Sequence, residues 1–357
     1  MLRCELDLGA EPWGRLAQGR VEGSMRWNGG QALPVKARIR GAHSRKFPRK
    51  SLQIDMTRRP LFDPPPDGHT VRRIHMNADY IDPTRMRSAL SYGLFHEMGA
   101  VAPLCRHAML SVSGAPAGLY IALESVDMDF CRRRGWKPGS IFYAVTRNAN
   151  FGLVSPNTQL LKQPLDQGYQ TVEEADPGPL RRMLTDINLC SDRSFPAVVE
   201  RWVDVEGYLK WLMGAVFVGN RDGFMHNYAL YRNPESGQFH IIPWDYDATW
   251  GIDIHGRPAR LDRVPLTGWN RLTSRLMASD RHRRRYRDMF LSALHEGPLS
   301  PAAILPMIDK MSAEVAPHID TERTSVDKAS RFDRAVEALR WWAHERRSLL
   351  LRELADL

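Results

Sequence analysis

Two short stretches carry oxygen ligands at spacings that suit phosphate chemistry. The first is Asn220-Arg221-Asp222-Gly223-Phe224-Met225-His226-Asn227, and the second is Pro243-Trp244-Asp245-Tyr246-Asp247. Together they bring three carboxylates and the Asn227 carboxamide into a short region, a donor set for a hard divalent cation that bridges nucleotide phosphates. Phosphoryl transfer asks the protein for positioning and charge neutralisation more than for covalent chemistry. The parts it needs are a cation facing the phosphates, oxygen ligands for Mg²⁺ (with Mn²⁺ as the alternative), and a carboxylate near the acceptor hydroxyl.

Asp222 follows a helix that ends near Gly219, so it falls on a loop, where it is placed as the base. Asn227 opens a strand that would fix its direction, and it is placed as a metal ligand. Asp245 and Asp247, one residue apart after the apolar run Ile241-Ile242-Pro243-Trp244, share a side if extended or straddle an ion if turned. Two carboxylates at the edge of a buried strand are costly without a counter-ion. Lys50, on an early strand, is the candidate phosphate cation, with Lys46 and Arg49 as rivals. Arg40, Gly41, Ser44 and Arg45 form a basic turn able to cover phosphates through amides and guanidinium forks. Glu124 ends an apolar strand and either reaches the nucleoside side of a cleft or caps the following helix. No second histidine stands at metal-ligand spacing, which disfavours a zinc hydrolase.

The elements that must position these groups are read from periodicity. Val35–Arg40 and Lys50–Met56 alternate as strands, and Pro60–Asp67 is a proline-rich loop. Asp82-Pro83 opens a helix that Gly99 ends. Strands follow at His107–Val112 and Leu119–Val126, then a short helix at Asp127–Arg134. Helices begin at Asp176 and at Val203–Asp204, the second running to about Val218. Asn227–Arg232 and Gln238–Ile242 form a hairpin across Asn233–Gly237. The chain is mostly helical after Gly251 and ends in a long helix, Arg331–Leu354. The segment Gly152–Gln170 has no clear period.

With 357 residues, 43% of them apolar, and ten tryptophans, the chain has the size and composition of a folded enzyme. Its formal charge is +9. No nucleic-acid motif accompanies that charge, so it is read as solvated arginine-rich surface and no nucleic-acid partner is expected. Cys4, Cys105, Cys131 and Cys190 lack zinc spacing and are read as reduced thiols. Charges interrupt every turn of Met1–Trp27, and no apolar run approaches a membrane span, so a cytoplasmic location is expected.

The Arg-Asp-x-x-x-x-Asn spacing resembles the catalytic loop of protein kinases, and the Asp245 motif falls where kinases place a metal-binding Asp. More specifically, the chain resembles the CotH kinase family of atypical kinases. The likeness runs through Ile39-Arg40-Gly41 to Phe47-Pro48-Arg49-Lys50-Ser51, Asn77-Ala78-Asp79 to Arg87, Gly118-Leu119-Tyr120 to Glu124, Asn220 to Tyr228, and Ile242 to Gly251. The resemblance implies an α+β, kinase-like two-lobed fold, with a strand-rich N-lobe (1–126) and a mostly helical C-lobe (127–357). It implies ATP- and Mg²⁺-dependent phosphorylation of Ser/Thr hydroxyls on a protein substrate, with Asp222 near the acceptor, Asn227 and Asp245 on metal, Asp247 as a further ligand, and Lys50 on phosphate. Asn220 stands where kinases carry His, and the Gly-rich loop is missing. The alternatives are AMP transfer or carboxylate activation on the same scaffold, or a non-catalytic scaffold that binds an acidic partner.

Overall fold

The computed structural model describes residues 1–41, 44–60, 70–173, 175–319 and 326–357. The N-terminal part is a closed barrel. In chain order its elements are β1 (Leu2–Asp7), α1 (Pro12–Gln18), β2 (Val21–Trp27), β3 (Leu33–Ile39), β4 (Leu52–Pro60), β5 (Thr70–Asn77), α2 (Arg87–Glu97), β6 (Cys105–Val112) and β7 (Ala115–Glu124). The strands run β1-β2-β3-β4-β5-β7-β6, and β6 closes onto β1. Every pairing is antiparallel except that of β1 with β6. Alternation explains the closure: Leu2, Cys4 and Leu6, Val35 and Ala37, Leu52 and Ile54, and Ile74 and Met76 all turn into one apolar interior.

The C-terminal part adds α3 (Met128–Arg133), β8 (Ser140–Ala144), β9 (Tyr169–Val172), α4 (Gly178–Leu189), α5 (Phe195–Trp202), α6 (Val205–Val218), β10 (Tyr228–Arg232), β11 (Phe239–Pro243), α7 (Arg271–Ala278), α8 (Asp280–His295), α9 (Pro301–Ile319) and α10 (Val326–Ala355). The four strands form a second sheet in the order β11-β10-β8-β9. The architecture is therefore α+β, strand-rich toward the N-terminus and helical toward the C-terminus. A second apolar core, separate from the barrel interior, joins α2 to the helices and the second sheet.

Helix α6 is the axle of this second core. Asp204 caps it by accepting from Gly207 N (3.1 Å), and Gly219 ends it at φ 71°. Glycine is required there twice over, by the left-handed backbone and by Trp342, whose ring would lie 2.7 Å from an added Cβ. Arg346 of α10 is fully buried and donates to Val216 O (2.9 Å), Val264 O (2.6 Å) and Leu261 O. One guanidinium thereby ties the end of α6 to the 261–264 segment.

The helix expected from Asp82 begins instead at Arg87. The Asp82 carboxylate still serves its start, accepting from Met86 N and Arg87 N (both 2.9 Å), but it does so from a buried turn that displaces the first helical residue. Strands β1, β2, β5, β8 and β9 and helices α1 and α5 were not expected from periodicity. The loop expected over Pro60–Asp67 lies, beyond Pro60, outside the described residues, as do Ala42 and His43 of the basic turn. All four cysteines are free thiols.

Candidate active site

Helix α6 delivers the first motif directly. After Gly219, Asn220 accepts from Gly223 N through Oδ1 (3.0 Å), which folds Asp222–Phe224 into a tight 3₁₀ turn. The amides of Met225 and His226 both donate to Asp222 O (3.1 Å). Asn227 then donates its amide to Ala144 O of β8 (2.9 Å) and adopts φ 60° before β10 begins. Asn and Asp tolerate this left-handed region better than other non-glycine residues. The turn thus sets Asp222 at one end of a rigid loop and Asn227 at the other.

The second motif follows β11. Asp245 also takes a left-handed backbone, φ 62°, and its amide donates to the Tyr92 hydroxyl (3.2 Å). Trp244 meets Tyr143 and His75 edge-on, each at 5.3 Å between centroids, and Tyr246 packs in the core against Phe95 and Tyr92. The two aromatic side chains therefore anchor the loop, while Asp245 and Asp247 between and after them face the opening. Trp250 completes the anchorage: its amide donates to Val218 O (2.7 Å) and its indole to Ser91 Oγ (3.0 Å).

A third segment, between β5 and α2, forms the facing wall. Arg40 donates to Asn77 Oδ1 and lies over the Trp244 ring, 5.4 Å from its centroid. Asp79 is 5% exposed, and its Oδ2 has no hydrogen-bond partner among the described residues. Arg40, Ser44, Asp79, Asp222, Asn227, Asp245 and Asp247 line one cavity of about 360 Å³. A second chamber of about 720 Å³ shares Arg40, Asn227 and Asp245 with it and adds Arg38, Arg45, Arg73, Tyr143 and Trp244. The cleft thus has an acidic half and a basic half that meet at Arg40 and Asp245.

The electrostatics reflect this crowding. Burial, opposed by the Ser88 hydroxyl, pushes the Asp79 carboxyl up to about 7, and Asp82 and Asp245 add to the rise. Asp247 is pushed well above its ordinary value by burial and by the charges of Asp245 and Asp79. The Asp245 carboxyl opens on the cavity but is walled in by protein. That enclosure raises its pKa, while Arg40 and His226 pull the other way. Burial lowers Arg40, and Asp245 restores part of its charge preference. These are carboxylates held together without enough positive charge, and the orphaned Asp79 oxygen points to the same deficit. No three His, Cys, Asp or Glu side chains among the described residues form a ready metal cage. The donor set nonetheless fits Mg²⁺, which is held by one or two carboxylates together with substrate phosphates and water. Asp245, Asp247 and the Asn227 amide oxygen are the residues that would hold it.

Of the residues singled out from the sequence, Asp222, Asn227, Asp245, Asp247, Arg40 and Ser44 come together in the first cavity. Arg45 borders the second, but its guanidinium is committed to Gly41 O (2.8 Å) and Ile39 O (3.1 Å), bracing the turn. Lys50 is a correction. Its ammonium donates to Arg45 O (2.7 Å) and Phe47 O (2.6 Å) and lines a groove beside α1, outside the cleft. Arg49, its rival, donates to Leu119 O and stacks over Tyr120, and Lys46 is exposed away from both chambers. Glu124 is a second correction. Fully buried, it accepts from Leu104 N (2.9 Å) and pairs with Arg134 (3.0 Å), so it is a strut between the barrel and α3, with no access to a nucleoside. The residue missed is Asp79. Its only signal was its place in the Asn77-Ala78-Asp79 to Arg87 stretch that resembles the family.

Comparison with known proteins agrees with the motifs. The family described as CotH kinase protein matches residues 37–350. The chain is 38% identical to the inner spore coat protein H of Bacillus subtilis (strain 168) over 309 residues, 86% of this chain and 83% of that protein. Among solved structures, it is similar to HipA in the Shewanella oneidensis MR-1 HipA–HipB–operator DNA complex, at TM-score 0.34 and 12% identity over 76% of this chain and 57% of that one. It is also similar to the Helicobacter pylori proinflammatory kinase CtkA, at TM-score 0.29 and 11% identity over 92% and 90%. No helix among the described residues is long and apolar enough to cross a membrane. On the family match and the relationship to the coat protein, the chain belongs to the CotH kinase family.

Proposed function

We propose that this chain transfers the γ-phosphate of Mg²⁺-bound ATP to a serine or threonine hydroxyl of another protein. The observation that supports the reading is the single cavity shared by Asp222, Asn227, Asp245, Asp247 and Arg40. Asp222, half-buried at the end of its turn, accepts the proton of the acceptor hydroxyl. Asn227, Asp245 and Asp247 hold the cation, which, when bound, neutralises charge on the phosphates. Arg40, fixed by Asn77 and Trp244, takes the phosphate role that the sequence assigned to Lys50. The larger chamber, with its arginines, Tyr143 and Trp244, takes the rest of the nucleotide.

The test is Asp245→Ala. On this reading, its Mg·ATP affinity falls at least about tenfold, the loss of one charge-assisted ligand. Unchanged affinity removes the metal site and the reading with it. Intact-mass analysis of a protein acceptor after incubation with Mg·ATP separates phosphate transfer from AMP transfer on the same scaffold.

A further inference from the structure

We propose that the groove beside Asp222 docks an acidic segment of the substrate protein, read by Arg221 and Arg263. This deepens the phosphotransfer reading and rests on it. The groove, about 430 Å³, is built from the same two segments as the acidic half of the cleft: Arg221 lines it where Asp222 lines the cavity, and Asp253 lines it where Ile254 lines the cavity. It therefore begins where the acceptor hydroxyl would be presented.

Its carboxylates are already committed. Asp253 pairs with Arg257 (2.8 Å) and accepts from the amides of His255 (2.8 Å) and Arg257 (3.0 Å), and Asp262 pairs with Arg260 (2.5 Å). Two cations are left over. Arg263 makes one long bond, to Ile252 O (3.3 Å), and Arg221 makes no hydrogen bond or ion pair among the described residues. Burial, and then the positive charge of Arg221, hold the Arg263 guanidinium below its ordinary value, against the pull of Asp222 and Asp253, so the two arginines still oppose each other. A carboxylate between them relieves that repulsion, and two guanidinium forks suit it geometrically.

The walls are fixed before any ligand arrives. Arg346 holds the carbonyls of Leu261 and Val264 on either side of Arg263. The turn at Gly256 rests so closely on Ile81 O that an added Cβ would lie 2.6 Å away. Little ordering remains to oppose docking.

The experiment measures binding, not turnover. The full chain is titrated into a fluorescein-labelled peptide of glutamate, serine and glycine, and into a matched peptide with lysine for every glutamate, and anisotropy is read at low and high salt. The acidic peptide binds and weakens with salt, whereas the lysine peptide does not bind. In Arg221→Gln/Arg263→Gln the acidic peptide binds about fivefold more weakly or worse, and Arg221→Gln alone, an exposed site, gives part of that loss. Unchanged affinity in either variant with a wild-type melting curve overturns the proposal, as does equal binding of the lysine peptide. Stronger binding of a single-stranded DNA oligonucleotide than of the acidic peptide overturns it as well. Mg·ATP affinity, measured separately, stays at the wild-type value in both variants. If the wild type binds the acidic peptide but adds no phosphate to it with Mg·ATP, the docking surface stands and the phosphotransfer reading falls.

Discussion

Arg87 Nε donates to the main-chain carbonyl of Thr249 at 3.1 Å, joining the start of α2 to the loop that carries Asp245 and Asp247. The same guanidinium pairs with Asp82, and both residues are buried, at 2% and 0% exposure. Thr249 in turn donates to Tyr246 O (2.7 Å). The buried pair therefore acts as a clamp on the acidic loop, and it holds the Asp79 wall and the Asp245 wall at a fixed separation.

Breaking that clamp is expected to cost stability and nucleotide binding together. Arg87→Met leaves Asp82 charged, buried and unpaired, a loss of about 3–5 kcal/mol. Asp82→Asn in the Arg87→Met background removes the orphan charge while keeping an oxygen that accepts from the main-chain amides of residues 86 and 87, and it recovers part of the loss. Urea denaturation of the two variants checks the order. Equal stability of both would mean that the charge itself is unimportant.

Asp222 and Asp245 are predicted to fail differently. Asp245→Asn removes a metal ligand and weakens Mg·ATP binding. Asp222→Asn removes the base, leaves Mg·ATP affinity within about twofold, and lowers the phosphotransfer rate by about 10²–10⁴. Calorimetric titration with Mg·ATP beside a single-turnover assay separates the two. A large affinity loss in Asp222→Asn would place Asp222 among the metal ligands instead.

Much of this arrangement was legible in the sequence because its signals are local. The alternation of Val35–Arg40 and Lys50–Met56, the Asp204 cap and the Gly219 stop fixed their elements without tertiary help. Barrel closure was not legible, since it pairs Leu2 with Ala108 and Cys4 with Leu110 across the whole N-terminal part. The fate of Lys50 was hidden for another reason. A lysine on an early strand looks free, but two carbonyls of the turn just before it capture its ammonium. Asp79 was invisible because β5 itself was not read from the sequence, and an acid in the turn beyond it gains meaning only when Asp245 and Asp247 are brought opposite it.

The exchange of roles between Lys50 and Arg40 can be tested directly. Lys50→Ala is expected to leave Mg·ATP affinity unchanged and to lower stability slightly, through its bonds to Arg45 O and Phe47 O. Arg40→Ala should weaken nucleotide binding about tenfold or more, as expected for a charge-assisted phosphate contact. If Lys50→Ala weakened binding as much as Arg40→Ala, the basic turn would have to rearrange around the nucleotide.

Asp127 gives a pH dependence outside the cleft. It caps α3, accepting from Asp129 N (2.9 Å) and Phe130 N (3.3 Å), and is 7% exposed. Burial, then the neighbouring Asp129 charge, raise its carboxyl from 3.8 to about 6. Between those two values the native state holds more protons than the unfolded chain. Its contribution to stability is therefore greatest at low pH, declines as pH rises through that window, and is flat above about 6. Asparagine keeps a cap and cannot ionise. Asp127→Asn is expected to match the wild type near pH 4 and to exceed it by up to about 2–3 kcal/mol at pH 8. Denaturant unfolding at the two pH values measures the difference. A variant less stable than the wild type at pH 8 would show that the charged form is the one the fold prefers, held by Arg73 against the cost of burial.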